Sequence, residues 1–294
     1  MLENIPEIFL NTTAREFRVL LAIENKMKFY EWVPIEELVN FTGYDIKEVG
    51  YILSNLAGKK LVHRNILAYE GYRIYFEAYN LLALNALVKR GTVNSLGDII
   101  GVGKESMVYA ATSGITNREV VIKFHMEGKT SFKQVRIKRE HTAEKKHISW
   151  LYASRLAAHR EYEALKLLYP QVSVPEPIDN NRHAVVMSVA RGHVLADTKV
   201  DEPEWYLDEI LTQIRKAAML GIIHCDMSEF NIFVSPEGCE IIDWPQYITC
   251  SHPNAEELLH RDVHNVLTFF MRKYRVKRDI QEVIEGIIEL CRKK

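Results

Sequence analysis

Cysteine is scarce in this chain, and long apolar runs are missing. The four cysteines among 294 residues, at positions 225, 239, 250 and 291, form no C-x-x-C pair. That spacing offers neither the paired ligands of a zinc site nor a disulfide framework. No apolar stretch approaches the roughly 20 residues that span a bilayer, so no membrane partner is expected. The opening Met1-Leu2-Glu3-Asn4 lacks the basic start of a secretory signal. There is no internal repeat and no low-complexity tract. These absences point to the cytoplasm, and a hydrophobic content of 47% beside 26% charge suits an ordinary globular protein with room for two cores.

What is present concentrates in one short stretch. His224-Cys225-Asp226-Met227-Ser228-Glu229-Phe230-Asn231 is followed by Ile232-Phe233-Val234, then Ser235-Pro236-Glu237-Gly238, then Glu240-Ile241-Ile242-Asp243. The two apolar runs read as strands and the segment between them as a hairpin turn. Paired strands lie roughly 5 Å apart, so the fold-back sets Asn231 beside Asp243. One amide and one carboxylate oxygen suit Mg²⁺, with Mn²⁺ as a substitute, the remaining positions going to water and nucleotide phosphates. Asp226 precedes the hairpin on a loop, placed to orient a nucleophile. This is the H-R-D-L-x-x-x-N plus D-F-G arrangement of phosphotransferases. Here Cys225 stands for Arg, Met227 for Leu, and Asp243-Trp244-Pro245 for D-F-G.

A nucleotide site needs an upstream half. Ile99-Ile100-Gly101-Val102-Gly103-Lys104-Glu105-Ser106-Met107-Val108 reads as a strand, a glycine turn and a second strand. Gly101 and Gly103 let backbone N–H groups approach phosphates, and Lys104 and Ser106 add side-chain contacts. The glycines open no helix, which disfavours a Rossmann site. Gly128-Lys129-Thr130 is no Walker A motif, because Lys123 stands where its first glycine belongs.

Lys123 sits in the apolar run Val120–Phe124, where an ammonium needs an anion nearby. On the helical segment from about Glu144 to Tyr169, Ser154, Ala157, Ala158, Glu161, Leu165 and Leu168 share one face. The period selects Glu161, not Glu163, as the partner of Lys123. The run Ala184–Ala190 reads as a strand ending in an adenine-contacting hinge at Met187, Ser188 and Ala190. Val108, Val121, Phe233 and Ile242 form apolar walls for the base.

These motifs, with Arg261-Asp262-Val263 downstream, resemble the RIO atypical protein kinases over about residues 92–294. The N-terminal part is similar to the winged-helix domain of that family's second branch. The resemblance implies an α+β architecture. A winged helix-turn-helix domain over 1–90 precedes a truncated bilobal kinase-like domain over 91–294, with lobes of about 91–187 and 191–294. It implies a serine/threonine kinase or ATPase that uses ATP and Mg²⁺ and acts on the pre-ribosomal small subunit, its rRNA and ribosomal proteins. The short stretch after the kinase lobe fits the archaeal type.

In the first 90 residues, Thr12 or Thr13 caps a helix whose apolar face includes Phe17, Leu20, Leu21 and Ile23. Pro34 begins a helix to Val39, followed by a turn at Phe41-Thr42-Gly43. Asp45 caps the next helix, with Glu48 completing a capping box. The runs 61–64 and 72–75 form a wing, and a helix spans Phe76 to Lys89. Eleven Lys/Arg balance eleven Asp/Glu here, and the helix from Asp45 to Ala57 carries Lys47 alone as a basic residue. That balance counts against sequence-specific DNA binding.

Basic charge gathers instead at 126–160, where nine Lys/Arg face three Glu. Such a run suits either a solvated loop or phosphate contacts. Thr130 and Ser131 are candidate phosphosites within it. Only 51 residues follow Asp243, without an Ala-Pro-Glu motif, which leaves no room for peptide-docking helices. Two alternatives stand beside the RIO reading. One is a small-molecule kinase of the aminoglycoside type, which would need a longer substrate subdomain. The other is a non-catalytic nucleotide-sensing adaptor, which the intact Lys123, Asp226, Asn231 and Asp243 disfavour.

Overall fold

A computed structural model describes residues 5–67, 69–126 and 149–292. The chain divides into two compact units, Met1–Leu156 with Asn180–Ala184, and Ala157–Asp179 with Val185–Lys294. The basic residues between Lys129 and Lys146, and the candidate phosphosites Thr130 and Ser131, lie outside the described residues.

In the first unit, helices α1 (Ile5–Leu10), α2 (Ala14–Lys26), α3 (Ile35–Thr42) and α4 (Ile46–Gly58) precede a wing. The wing has three strands rather than two. β1 (Val33–Pro34) joins β2 (Val62–Asn65) and β3 (Gly71–Ile74) in the antiparallel order β1-β3-β2. Thr13, not Thr12, caps α2 in a full capping box, its hydroxyl accepting the Glu16 N–H while Glu16 accepts the Thr13 N–H at 2.7 Å. Leu21 is exposed, and Val19 and Ala22 fill the face expected of it. The expected turn at 41–43 is instead the end of α3, which runs on to Thr42 because Gly43 supplies the left-handed stop (φ 74°). At α4 only half of the expected box forms. Asp45 accepts the Glu48 N–H, but the Glu48 carboxylate accepts from Arg15 at 2.8 Å.

Helix α5 (Phe76–Lys89) is buried on nearly all sides, as suits a central helix rather than a surface one. It carries the chain into β4 (Val93–Val102), β5 (Ser106–Ser113) and β6 (Glu119–His125), an antiparallel meander. Further on come α6 (Ser149–Leu168), β7 (Pro177–Asn181) and β8 (Ala184–Ser188). Through residues 180–184, which belong to the first unit, the β7–β8 hairpin completes the order β4-β5-β6-β8-β7. Its turn is anchored to the helices of that unit. Arg182 grips Glu24 of α2 through two bonds of 2.8 and 2.6 Å. Buried His183 meets Asn80 of α5 at 2.6 Å and stacks on Tyr79.

Among its described residues the second unit contains most of α6, two short sheets and three further helices. β9 (His193–Val194), β11 (Ile232–Ser235) and β12 (Gly238–Ile241) form one sheet; β10 (Ile222–Ile223) and β13 (Ile248–Thr249) form the other. Helices α7 (Pro203–Met219), α8 (Ala255–Tyr274) and α9 (Ile280–Arg292) pack on one another. One sequence expectation fails here. Cys250 and Cys291, 41 residues apart, are joined as a disulfide. No local motif marks this pair, because the fold of α9 alone brings the two sulfurs together. Among the described residues no helix is long and apolar enough to cross a membrane.

Removing the α2 cap should have a measurable cost. Thr13→Ala is expected to destabilise the protein by about 1 kcal/mol, whereas Glu48→Gln should cost less, because only an exposed contact with Arg15 depends on its charge. Urea melts of the two variants check the order.

Candidate active site

The upstream strands present one coherent face. β5 alternates strictly, with Met107, Tyr109, Ala111 and Ser113 buried and Val108 turned to the other side. The register sets Gly101 opposite Val108 and Val108 opposite Lys123, with Ala110 opposite Val121. Gly101, Val108, Val121 and Lys123 therefore share that second face, as directly opposed residues in an antiparallel ladder must. Lys123 is only 7% exposed. The turn differs from expectation in one respect. The Gly103 N–H donates to the Ser106 carbonyl at 2.9 Å, closing the two-residue loop Lys104-Glu105, so it is not free to meet a phosphate. A Cβ at position 103 would approach Ser106 Oγ to 3.0 Å, so glycine there serves close packing. Lys104 is exposed and Ser106 half-buried.

On α6 the expected stripe is the buried one. Ser154, Ala157, Ala158, Glu161, Leu165 and Leu168 are all buried, while Glu163 is half-exposed and pairs with Lys166 at 3.3 Å. Beside Glu161, Arg160 reaches the carbonyls of Pro245 and Tyr247 and lies over the Tyr247 ring. It thereby holds the segment that follows Asp243.

The loop from His224 to Asn231 leads directly from β10 into β11. Ile232 opposes Ile241 and Ser235 opposes Gly238 across a two-residue turn. The Ile242 N–H donates to the Asn231 carbonyl at 3.0 Å, extending the ladder one step and setting Asp243 just beyond it. Cys225 and Asp243 both adopt left-handed backbone, at φ 67° and 69°. For non-glycine residues this conformation costs roughly 1–3 kcal/mol each and survives where surroundings enforce it.

The enforcing contacts are identifiable. Asp262 of α8, 1% exposed, accepts the Cys225 N–H at 2.7 Å and the Met227 N–H at 3.1 Å. Arg261 donates to the Cys225 carbonyl, and Asn265 to the Met227 carbonyl at 3.1 Å. His224 uses both ring nitrogens. Nε2 bonds the Ile242 carbonyl at 2.9 Å, and Nδ1 lies 3.2 Å from the Asp226 N–H. Buried Trp244 packs edge-on against that ring and donates to the Ile241 carbonyl.

Asp226 is left at the surface of this clamped loop. Burial of its carboxyl raises its pKa and nearby Asp243 adds to this, partly offset by His224, Arg261 and the Asn231 amide. Asn231 Nδ2 donates to the Asp226 carbonyl at 2.9 Å, committing the amide nitrogen and leaving Oδ1 as the atom for a cation. Burial and Asp262 push the Cys225 thiol up to about 11, so it stays protonated and is no nucleophile. Phe233, Ile242 and Ala190 are half-buried and Met187 is buried. The Ser188 N–H donates to the Glu176 carbonyl at 3.0 Å, so of its backbone groups the carbonyl is the one left for a base. His224, Trp244, Arg160, Asp262 and Asn265 were not among the expected site residues. Of these, Asp262 carried a signal, as the centre of the Arg261-Asp262-Val263 stretch noted downstream of the hairpin.

A loop Asp, a hairpin with Asn and Asp at its open end, and a lysine-bearing strand meander define a protein-kinase-like phosphotransferase. Residues 107–283 match the RIO domain family and residues 9–90 the Rio2 N-terminal family. The RIO-type serine/threonine-protein kinase Rio2 of Methanocaldococcus jannaschii is 40% identical over 277 residues, covering 91% of this chain and 100% of that protein. The serine/threonine-protein kinase RIO2 of Caenorhabditis elegans is 40% identical over 262 residues, which are 88% of this chain and 49% of that one. The crystal structure of the Rio2 kinase–ADP/Mg²⁺–phosphoaspartate complex from Chaetomium thermophilum superposes with a TM-score of 0.83 at 32% identity, covering 96% of this chain and 89% of that one. The chain belongs to the RIO family of atypical serine/threonine-protein kinases, in its Rio2 branch.

The loop clamp should be sensitive to a single atom. Asp262→Asn keeps the shape but replaces one of two acceptors with a donor, leaving a buried N–H unmet. We expect a stability loss of about 1–3 kcal/mol and a fall in ATP turnover of roughly 100-fold, the scale of a slight misplacement of a reacting group. Denaturant melts beside turnover assays check both.

Proposed function

We propose that this chain binds ATP with Mg²⁺ and acts in the cytoplasm on the maturing small ribosomal subunit, by phosphorylation or by ATP hydrolysis. The observation that carries the chemical part is the clamped loop, with Asp226 exposed and Asn231 Oδ1 and Asp243 at the end of one hairpin. Among the described residues no cluster of three or more His, Cys, Asp or Glu could hold a metal. A hard-oxygen pair that needs phosphate to complete a coordination shell fits Mg²⁺ well. When bound, that cation would neutralise charge developing on the transferred phosphoryl group. The domain limits 1–90 and 91–294 are part of this reading.

Lys123 is assigned to the nucleotide phosphates with Glu161 as its orienting partner, and Lys104 and Ser106 to phosphate contacts. Gly101, Val108, Val121, Met187, Ser188, Ala190, Phe233 and Ile242 are assigned to the nucleotide's surroundings. Asp226 orients the attacking group. Asp243 is also placed to act as acceptor. Its carboxylate oxygen forms a bond to the γ-phosphorus while the bond to the ADP oxygen breaks, and water then releases phosphate from the acyl phosphate. The phosphoaspartate named for the Chaetomium thermophilum protein supports this route.

Single-turnover kinetics beside nucleotide titrations test the site. Asp226→Asn should retain Mg-ATP affinity while turnover falls roughly 10²–10⁴-fold. Asp243→Ala should abolish metal-dependent turnover and spare adenosine binding, and Glu161→Gln should lower turnover more than Glu163→Gln. Wild-type turnover in Asp243→Ala would remove the assignment. For the cellular role, the protein should co-sediment with immature small-subunit particles and leave them on ATP addition. Failure to associate with such particles would refute the ribosomal reading while leaving the kinase reading intact.

A further inference from the structure

The segment that leaves β8 toward β9 is held against the hairpin at two points. Gly192 adopts φ 86°, and a Cβ there would come within 2.0 Å of the Val234 carbonyl oxygen, so the linker backbone lies directly on β11. One residue earlier, Arg191 meets Glu240 of β12, its Nε donating to Oε2 at 3.2 Å. Glu240 is 4% exposed, and its Oε1 has no hydrogen-bond partner. It stands directly opposite Phe233, which in turn opposes Val194 of β9.

A buried carboxylate with one unmatched oxygen is a net cost to the fold. The guanidinium does little to offset it, because the Arg191 side chain is 68% exposed and an exposed ion pair contributes little. What Glu240 does supply is position. Through the Nε–H bond it ties Arg191 to β12, between the stretch Ser188–Ala190 and the contact at Gly192.

We propose that Glu240 is a positioning residue for nucleotide binding, setting affinity by holding the Arg191–Gly192 linker against the β11–β12 hairpin. This rests on the assignment of Ser188 and Ala190 to the base. Because the linker is remote from Asp226 in sequence and bonded to another part of the hairpin than Asn231 and Asp243, its effect belongs to binding and not to phosphoryl transfer.

The test is a titration with Mg-ADP beside single-turnover ATP kinetics on the full chain. Glu240→Ala should raise the Kd for Mg-ADP about tenfold, the scale of one lost hydrogen bond, while the saturated single-turnover rate stays within about twofold. Glu240→Gln, which keeps an acceptor for Arg191 Nε–H, should restore affinity to within about threefold of wild type. Gly192→Ala should weaken ADP binding at least as much as Glu240→Ala, and it decides the matter should Glu240→Ala fail to fold. Arg278→Ala, which removes an exposed pair with Asp208 in the same unit, is the neutral control. Wild-type ADP affinity in folded Glu240→Ala or in Gly192→Ala would overturn the proposal, as would a loss confined to the saturated rate. Failure of the wild-type chain to bind Mg-ADP would instead overturn the nucleotide site itself.

Discussion

One buried carboxylate underlies the path of the loop that carries Asp226. Asp262 sits in the middle of α8 and accepts two backbone N–H groups, those of Cys225 and Met227, on either side of Asp226. Backbone donors that are buried must find acceptors, and a loop cannot supply its own as a helix does. By meeting both donors with one side chain, α8 dictates the path of three consecutive residues. The left-handed turn at Cys225 is the cost of that path, and the exposed carboxylate of Asp226 is its result.

The hairpin does the complementary work. Its two-residue turn fixes the register, and the register fixes how far Asn231 stands from Asp243. His224 then connects loop and hairpin, because its two nitrogens bond Asp226 and Ile242 at once. Trp244 fills the space behind that imidazole and Arg160 secures the chain beyond it. Four elements of the second unit thus converge on the backbone around two aspartates. These contacts fall on backbone groups: the Asp226 N–H and carbonyl and the Ile241, Ile242 and Pro245 carbonyls.

Much of the site could be read from the sequence because hairpins and helices are periodic. The Asn231–Asp243 hairpin, the buried stripe through Glu161 and the row linking Val108 to Lys123 all follow from alternation or a 3.6-residue repeat. Where reading failed, the cause was competition for backbone groups. Gly103 was expected to offer its N–H to a phosphate, yet that N–H is taken by the Ser106 carbonyl across the turn. Glu48 was expected to complete a capping box, and Arg15, 33 residues away in sequence, claims its carboxylate instead. At Leu21 the periodicity itself was misjudged by one position.

The sequence by itself determined the order of elements, the turn and cap residues, and which residue types could carry phosphotransfer chemistry. These depend on neighbours within about one helical turn or one hairpin, a range over which side-chain pattern and backbone preference act directly. Only the tertiary structure decided which buried acid holds the Asp226 loop, which backbone donors are engaged, and that Cys250 joins Cys291. Each of those is a pairing between residues distant in the chain. Such a pairing is set by how the elements pack, and no local pattern of residues records it.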